Sequence, residues 1–78
     1  MSTAIAVTLD LKGLSCPMPI VKTAKAVKGL APGDVIEALA TDPGSVPDFV
    51  AWCRATGNQL LEHDEHDGVY RFVIRKTG

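Results

Sequence analysis

Cysteine and aromatic residues are both scarce in this chain of 78 residues, and each shortage excludes a class of protein. The two cysteines, Cys16 and Cys53, are too far apart for a CxxC redox pair and match no zinc-ligand set. The four aromatic residues (one Trp, one Tyr and two Phe) predict no stacking platform for nucleic acid. A structural disulfide is therefore the weaker interpretation of the cysteines, and an RNA-binding module is the weakest function considered.

An excess of charge and long apolar runs are also missing. Eight basic residues oppose nine acidic ones, and the net charge of -1 gives no general electrostatic case for binding nucleic acid or a membrane surface. No apolar stretch approaches the roughly 20 residues that cross a bilayer, and residues 1–3 lack the basic start and the apolar run expected of a signal peptide. We expect a cytoplasmic protein with reduced thiols, folded as one domain over 1–78 and monomeric.

Hydrophobic patterning predicts the element order βαβαββ. The predicted elements are a strand over 4–11, a helix over 17–28, a strand over 35–40, a helix from Asp42 and Pro43 to Gly57, and strands over 58–62 and 69–76. The first two strands flank a helix and should be parallel, whereas the last two should form an antiparallel hairpin around Asp67-Gly68. These connections predict an α/β two-layer sandwich, with both helices on one face of a mixed four-stranded sheet.

Each predicted helix has an apolar stripe that should face the sheet. The expected buried residues are Ile20, Ala24, Val27 and Ala31 in the first helix, and Val46, Phe49, Val50 and Cys53 in the second. Trp52 flanks the second stripe and is expected to be packed. Gly57 should end the second helix in the left-handed conformation.

A cysteine lies between prolines in residues 14–19, which read Leu-Ser-Cys-Pro-Met-Pro. Proline favours the first position of a helix, so this pattern predicts Pro17 there and Cys16 as the N-cap. A cysteine at the positive end of a helix has a lowered pKa and reacts as a thiolate. Proline lacks an N–H, and the N–H of Ile20 should bond to the Cys16 carbonyl. The N–H of Met18 is therefore the one donor predicted to reach the sulfur.

The residues around Cys16 predict a nucleophile without the rest of a hydrolytic site. No His, Asp or Asn is predicted to act as its base, while Lys12 and Lys22 are expected to favour the thiolate. Thiolate attack on a persulfide or disulfide needs no general base, which suits chemistry in which sulfur itself moves. The alternative is an inert core cysteine whose prolines only mark a strand–helix junction. Such junctions lie at the surface, which favours a reactive Cys16.

Residues 9–19 resemble the CPxP signature of the TusA/SirA-like family of small sulfur carriers. The similarity extends to 32–34, to Asp42-Pro43 and to 70–76, nearly the whole chain. It implies that Cys16 accepts sulfur from a cysteine desulfurase or rhodanese-type donor as a persulfide, with no separate cofactor. An acceptor protein then receives that sulfur. The residues that carry over as the frame of the site are Gly13, Leu14, Pro17, Met18 and Pro19.

The resemblance leaves the pathway open. Sulfur carriers of this family supply 2-thiouridine formation in tRNA, molybdenum-cofactor enzymes or dissimilatory sulfur oxidation. We take 2-thiouridine formation as the example. Carriers for tRNA thiolation often have an acidic residue between the two prolines, where this chain has Met18. A redox or regulatory thiol protein remains the other function, with Cys16 oxidised or paired with Cys53. Helical periodicity favours Cys53 as a core residue instead.

Two further groups of polar residues have mainly structural interpretations. The run 63–67 (His-Asp-Glu-His-Asp) contains metal-ligand types but approaches a tight turn without a second ligand cluster, so solvated turn residues are expected. Two basic sets are expected to be solvated surface or to dock an acidic partner. They are Lys22, Lys25 and Lys28 on the first helix, and Arg71, Arg75 and Lys76 on the last strand.

Overall fold

The computed structural model describes residues 4–77 and has the element order that the sequence predicts. Its elements are β1 (Val7–Leu11), α1 (Met18–Val27), β2 (Val35–Ala40), α2 (Ser45–Thr56), β3 (Gln59–His66) and β4 (Val69–Arg75). Residues 1–3, on which the signal-peptide expectation rests, lie outside the described part. Neither described helix is long and apolar enough to cross a membrane.

The four strands form one mixed sheet in the order β1-β2-β4-β3. β1 is parallel to β2, whereas β4 is antiparallel to both β2 and β3. Both helices contribute to a single core on one face of this sheet, through Val27 of α1 and through Phe49 and Cys53 of α2. The predicted two-layer α/β sandwich is therefore confirmed.

Aromatic packing under α2 forms the centre of this core. Phe49 is fully buried, and its ring stacks on that of Phe72 with centroids 4.2 Å apart and planes at 17°. Trp52 meets Phe49 edge to face at 6.5 Å, so Trp52 is packed as predicted. Phe72 and Ile74 of β4 belong to this core, whereas Val73 between them is equally buried but does not belong to it, as the predicted period of two requires.

The inward face of α1 differs from the predicted stripe. Pro19, Thr23 and Val27 are its buried residues, while Ile20 and Ala24 are half-buried and Ala31 is exposed beyond the helix end. The spacing of four residues places 19, 23 and 27 on one side of the helix. Thr23 is fully buried because its hydroxyl donates a hydrogen bond of 2.8 Å to the Pro19 carbonyl, which satisfies the polar group inside the helix.

The strand bounds also differ from prediction at two places. β1 begins at Val7 rather than at residue 4, and β3 extends to His66 rather than ending near 62. The polar residues 63–66 continue β3 because their backbones pair with 69–72 of β4, and an exposed edge strand needs no apolar side chains. The turn between them is the predicted Asp67-Gly68 pair, with φ of 51° and 80°.

Replacing Gly57 with alanine should destabilise the fold by about 1–2 kcal/mol. Gly57 ends α2 with φ of 79°, as predicted, and a side chain there is strained by the left-handed backbone. An added Cβ would meet Thr77 Oγ1 at an ordinary 3.8 Å, so crowding adds little. Urea unfolding measures the loss. Gly29→Ala is the control, since Gly29 is not among the positive-φ glycines. Equal losses in both variants would contradict this explanation.

Candidate functional site

Cys16 is exposed in the loop between β1 and α1, at the end of the sheet where β1 and β2 both finish. Parallel neighbouring strands end at the same sheet edge, so the loops that follow them lie side by side. Gly13 makes this contact: its N–H donates to Thr41 Oγ1 at 2.9 Å, and its φ is 85°. Leu14 is half-buried against the core. These two predicted frame residues therefore fix the loop to the body of the protein.

Two carboxylates from the β2–α2 region of the chain, those of Asp42 and Asp48, accept hydrogen bonds from Cys16. Its backbone N–H donates to Asp42 Oδ2 at 2.7 Å, and Asp42 also accepts the N–H of Gly44 at 3.3 Å. The Cys16 thiol donates to Asp48 Oδ2, with sulfur and oxygen 2.6 Å apart. Asp42 lies in the β2–α2 loop and Asp48 in the first turn of α2. No His, Asp or Asn is predicted from the sequence as a base for Cys16, yet the structure places the Asp48 carboxylate where it accepts the thiol hydrogen.

The start of α1 differs from the predicted cap. The helix begins at Met18 with Pro17 as its N-cap, so Cys16 lies one residue before the cap, and the Cys16–Pro17 peptide bond is cis. Met18 N–H donates to the Ser15 carbonyl at 2.9 Å, and Val21 N–H bonds to Pro17 at 3.1 Å. The prediction that Met18 N–H reaches the sulfur is therefore wrong, because a local turn already uses this donor.

The pKa of the Cys16 thiol is raised above its ordinary value of 9.0, which overturns the predicted lowering. The main cause is the hydrogen bond to Asp48, since a carboxylate that accepts from the thiol stabilises the protonated form. The negative charges of Asp48 and Asp42 add to the shift. Lys12 does not offset these negative charges, because its Nζ atom lies 3.9 Å from Asp10 Oδ1 instead. Lys22, the other expected helper, lines a different hollow.

A shallow groove of about 250 Å³ opens beside the sulfur. Its lining residues are Cys16, Pro17, Ile20, Asp48 and Ala51. The other two predicted frame residues lie outside this lining: Pro19 is buried beneath the loop, whereas Met18 is 41% exposed. The sulfur therefore lies at the mouth of a largely apolar depression between α1 and α2, within reach of another protein.

The comparison with known proteins identifies this arrangement. The family profile described as "Sulfurtransferase TusA" matches residues 7–76. The chain belongs to the TusA family. It is 51% identical over 71 residues to a protein of Halobacterium salinarum, a match that covers 90% of this chain and 88% of that one. The sulfur carrier protein TusA of Allochromatium vinosum is 45% identical over 69 residues, covering 88% and 91% of the two chains.

A solved structure agrees with the TusA-family assignment. The SirA-like protein of Desulfitobacterium hafniense superposes with a TM-score of 0.82 at 28% identity, over 92% of this chain and 99% of that one. The resemblance inferred from residues 9–19 is therefore confirmed, and with it the general class of sulfur carrier.

Cys53 occupies a different environment from Cys16 within this TusA fold. It lies on the inner face of α2, is 5% exposed, and is free. Burial raises the pKa of its thiol to about 11, because an apolar environment disfavours the thiolate. The predicted core position is confirmed.

The run 63–67 lies at the end of β3 and in the hairpin turn rather than wholly in the turn. His63 is exposed, and its ring lies parallel to that of Phe72 with centroids 6.4 Å apart, while His66 Nε2 lies 3.3 Å from Asp67 Oδ2. Within residues 4–77, no three His, Cys, Asp or Glu side chains are grouped to hold a metal ion.

Arg71 in β4 and Lys76 just after it are engaged within the fold. Arg71 is paired with Glu37 and lies near Glu62 and Asp64, at 3.8 and 3.6 Å. Lys76 Nζ donates to the Leu30 carbonyl at 2.6 Å, so these two side chains are poorly placed to dock a partner. Lys22 and Lys25 instead line a separate hollow of about 500 Å³ beside β1.

Proposed function

We propose that this chain carries sulfane sulfur as a persulfide on Cys16 and relays it between proteins. The observation that supports this most directly is the contrast between its two thiols. Cys16 is exposed at the mouth of a groove, on a loop held by Asp42, whereas Cys53 is enclosed by the core. Membership of the TusA family supports the same role.

The transfer conserves atoms and electrons without an added oxidant. During loading, Cys16 Sγ attacks the terminal sulfur of a donor persulfide, so that a new S–S bond forms on Cys16 while the S–S bond of the donor breaks. The donor leaves as a thiolate and takes up the proton that Cys16 releases. During delivery, an acceptor thiolate attacks the outer sulfur on Cys16, and Cys16 is the leaving group.

The proposed partners follow from this chemistry. A cysteine desulfurase or rhodanese-type protein supplies the sulfur, and a downstream protein accepts it, with no direct contact to nucleic acid. The exposed Met18 gives such partners an apolar contact in place of a charged one. We take tRNA 2-thiouridine formation as the first route to test. The alternatives are molybdenum-cofactor sulfuration and dissimilatory sulfur oxidation. The chain is proposed to act as a cytoplasmic, monomeric single domain.

Intact-mass measurement after incubation with a cysteine desulfurase and cysteine tests the proposed function. We expect a gain of about 32 Da that dithiothreitol removes, because a persulfide is reducible by thiols. Peptide mapping should place the added sulfur on Cys16. If only oxygen adducts form, in steps of about 16 Da, or if an internal disulfide forms, the carrier role is contradicted and a redox thiol protein is favoured.

A further inference from the structure

The carboxylate of Asp48 has no assigned part in the persulfide role, although it is the closest charged group to the sulfur. Its Oδ2 atom lies 2.6 Å from Cys16 Sγ and accepts the thiol hydrogen. The two residues are 32 positions apart in the chain, and they meet because α1 and α2 pack side by side on the sheet. Both also line the groove from which a partner would reach the sulfur.

No basic residue in the described part of the chain neutralises this carboxylate. Within residues 4–77, neither Asp48 nor Asp42 forms a salt bridge with a lysine or arginine. A thiolate at Cys16 would therefore face two negative charges, whereas the thiol gains a hydrogen bond. The N-terminus of α1 favours an anion, but Cys16 precedes the N-cap, and that effect falls off within the first turn.

We propose that Asp48 is a positioning residue that holds Cys16 as a protonated, poorly nucleophilic thiol while the carrier is free. The inference rests on the proposed persulfide role of Cys16. An exposed thiolate would react with small electrophiles and oxidants in solution. Asp48 suppresses those reactions. Sulfur transfer is thereby confined to a complex in which a donor protein holds its persulfide against the sulfur and the proton passes to the departing donor thiolate.

The pH dependence of alkylation tests the role of Asp48 directly. Iodoacetamide is added to the folded chain across a range of pH, and peptide mapping follows the modification of Cys16. The kinetic pKa is the pH at which the rate of alkylation reaches half of its maximum. We expect it to be lower in Asp48→Asn than in the chain without a substitution. The amide has a similar shape but no charge. At pH 7 the gain in alkylation rate should be about threefold to fourfold for each unit by which the pKa falls, because lower basicity partly offsets the greater thiolate fraction.

Control variants separate this effect from changes in net charge or folding. Glu65→Gln removes one negative charge at an exposed position of β3 and should leave the kinetic pKa unchanged. Asp48→Ala removes the acceptor without adding an amide donor and should lower the pKa as well. Circular dichroism confirms that each variant is folded. An unchanged or higher kinetic pKa in both folded Asp48 variants would overturn the proposal.

Loading with sulfur distinguishes failure of this inference from failure of the proposed function. If the unmodified chain gains sulfur but the Asp48 variants keep its kinetic pKa, the carrier role survives and the role of Asp48 is refuted. If the pKa falls in Asp48→Asn but the unmodified chain gains no sulfur from the desulfurase, Asp48 restrains a thiol that has another purpose. The proposed function is then the part that fails.

Discussion

Replacing Cys16 with serine should abolish the gain of sulfur from a cysteine desulfurase completely. The serine hydroxyl cannot form the S–S bond in which the sulfane sulfur is carried, and Cys53 is too deeply buried to substitute. Because Cys16 is exposed, the variant should keep its stability to within about 0.5 kcal/mol. Intact mass measures the loss, and urea unfolding verifies the fold. A folded Cys16→Ser chain that still gains about 32 Da would refute the assignment.

Cys53→Ser is the matched control for that experiment, and it should load normally. With a pKa of about 11, the Cys53 thiol is about 0.01% ionised at pH 7, far too little to compete with an exposed thiol. Serine is more polar than cysteine in a core position, so Cys53→Ala is the second variant and circular dichroism is recorded for both. Loss of loading in two folded Cys53 variants would make Cys53 part of the chemistry.

The elements of the fold could be predicted where local pattern and burial coincide. The inward face of β4 is formed by apolar residues, so hydrophobic periodicity identifies it. In α2 the pattern identifies Phe49 and Cys53 but misses the buried Ser45. The predicted Val46 and Val50 are only half-buried. The inward face predicted for α1 is wrong because the observed inward face has Thr23 at its centre. A hydroxyl counts as polar in a pattern, yet its bond to the Pro19 carbonyl within the same helix makes burial inexpensive.

The exposure of Cys16 could be predicted because a strand–helix junction is recognised from neighbouring residues, whereas the electrostatic environment of the thiol depends on residues far away in the sequence. The predicted parallel pairing of β1 and β2 already implies that the loop containing Asp42 lies near Cys16. Asp48 depends on the rotation and placement of α2 against α1, which no short motif encodes. The predicted direction of the pKa shift of the Cys16 thiol is therefore wrong. The prediction considers only the helix terminus, whereas the carboxylate of Asp48 is nearer to the sulfur and raises the pKa.

Replacing Phe49 with alanine should have the largest effect on stability, a loss of about 3–5 kcal/mol. The ring is fully buried, stacked on Phe72 at 4.2 Å and in edge contact with Trp52, so its removal leaves a cavity among rigid neighbours. A chain of 78 residues has a total free energy of unfolding of about 4–12 kcal/mol. The midpoint of urea unfolding should therefore fall sharply, with part of the population unfolded even in water if the chain lies at the low end.

The control for this loss is Val21→Ala on α1. The Val21 side chain is 50% exposed, so the free energy of unfolding should change by no more than about 0.5 kcal/mol. Phe49 directly follows Asp48 on α2, so weaker packing of this helix should also loosen the contact between Asp48 and the Cys16 sulfur. In the folded fraction of Phe49→Ala, Cys16 should then be alkylated faster than in Val21→Ala. Equal unfolding midpoints in the two variants would show that Phe49 is not the anchor of α2.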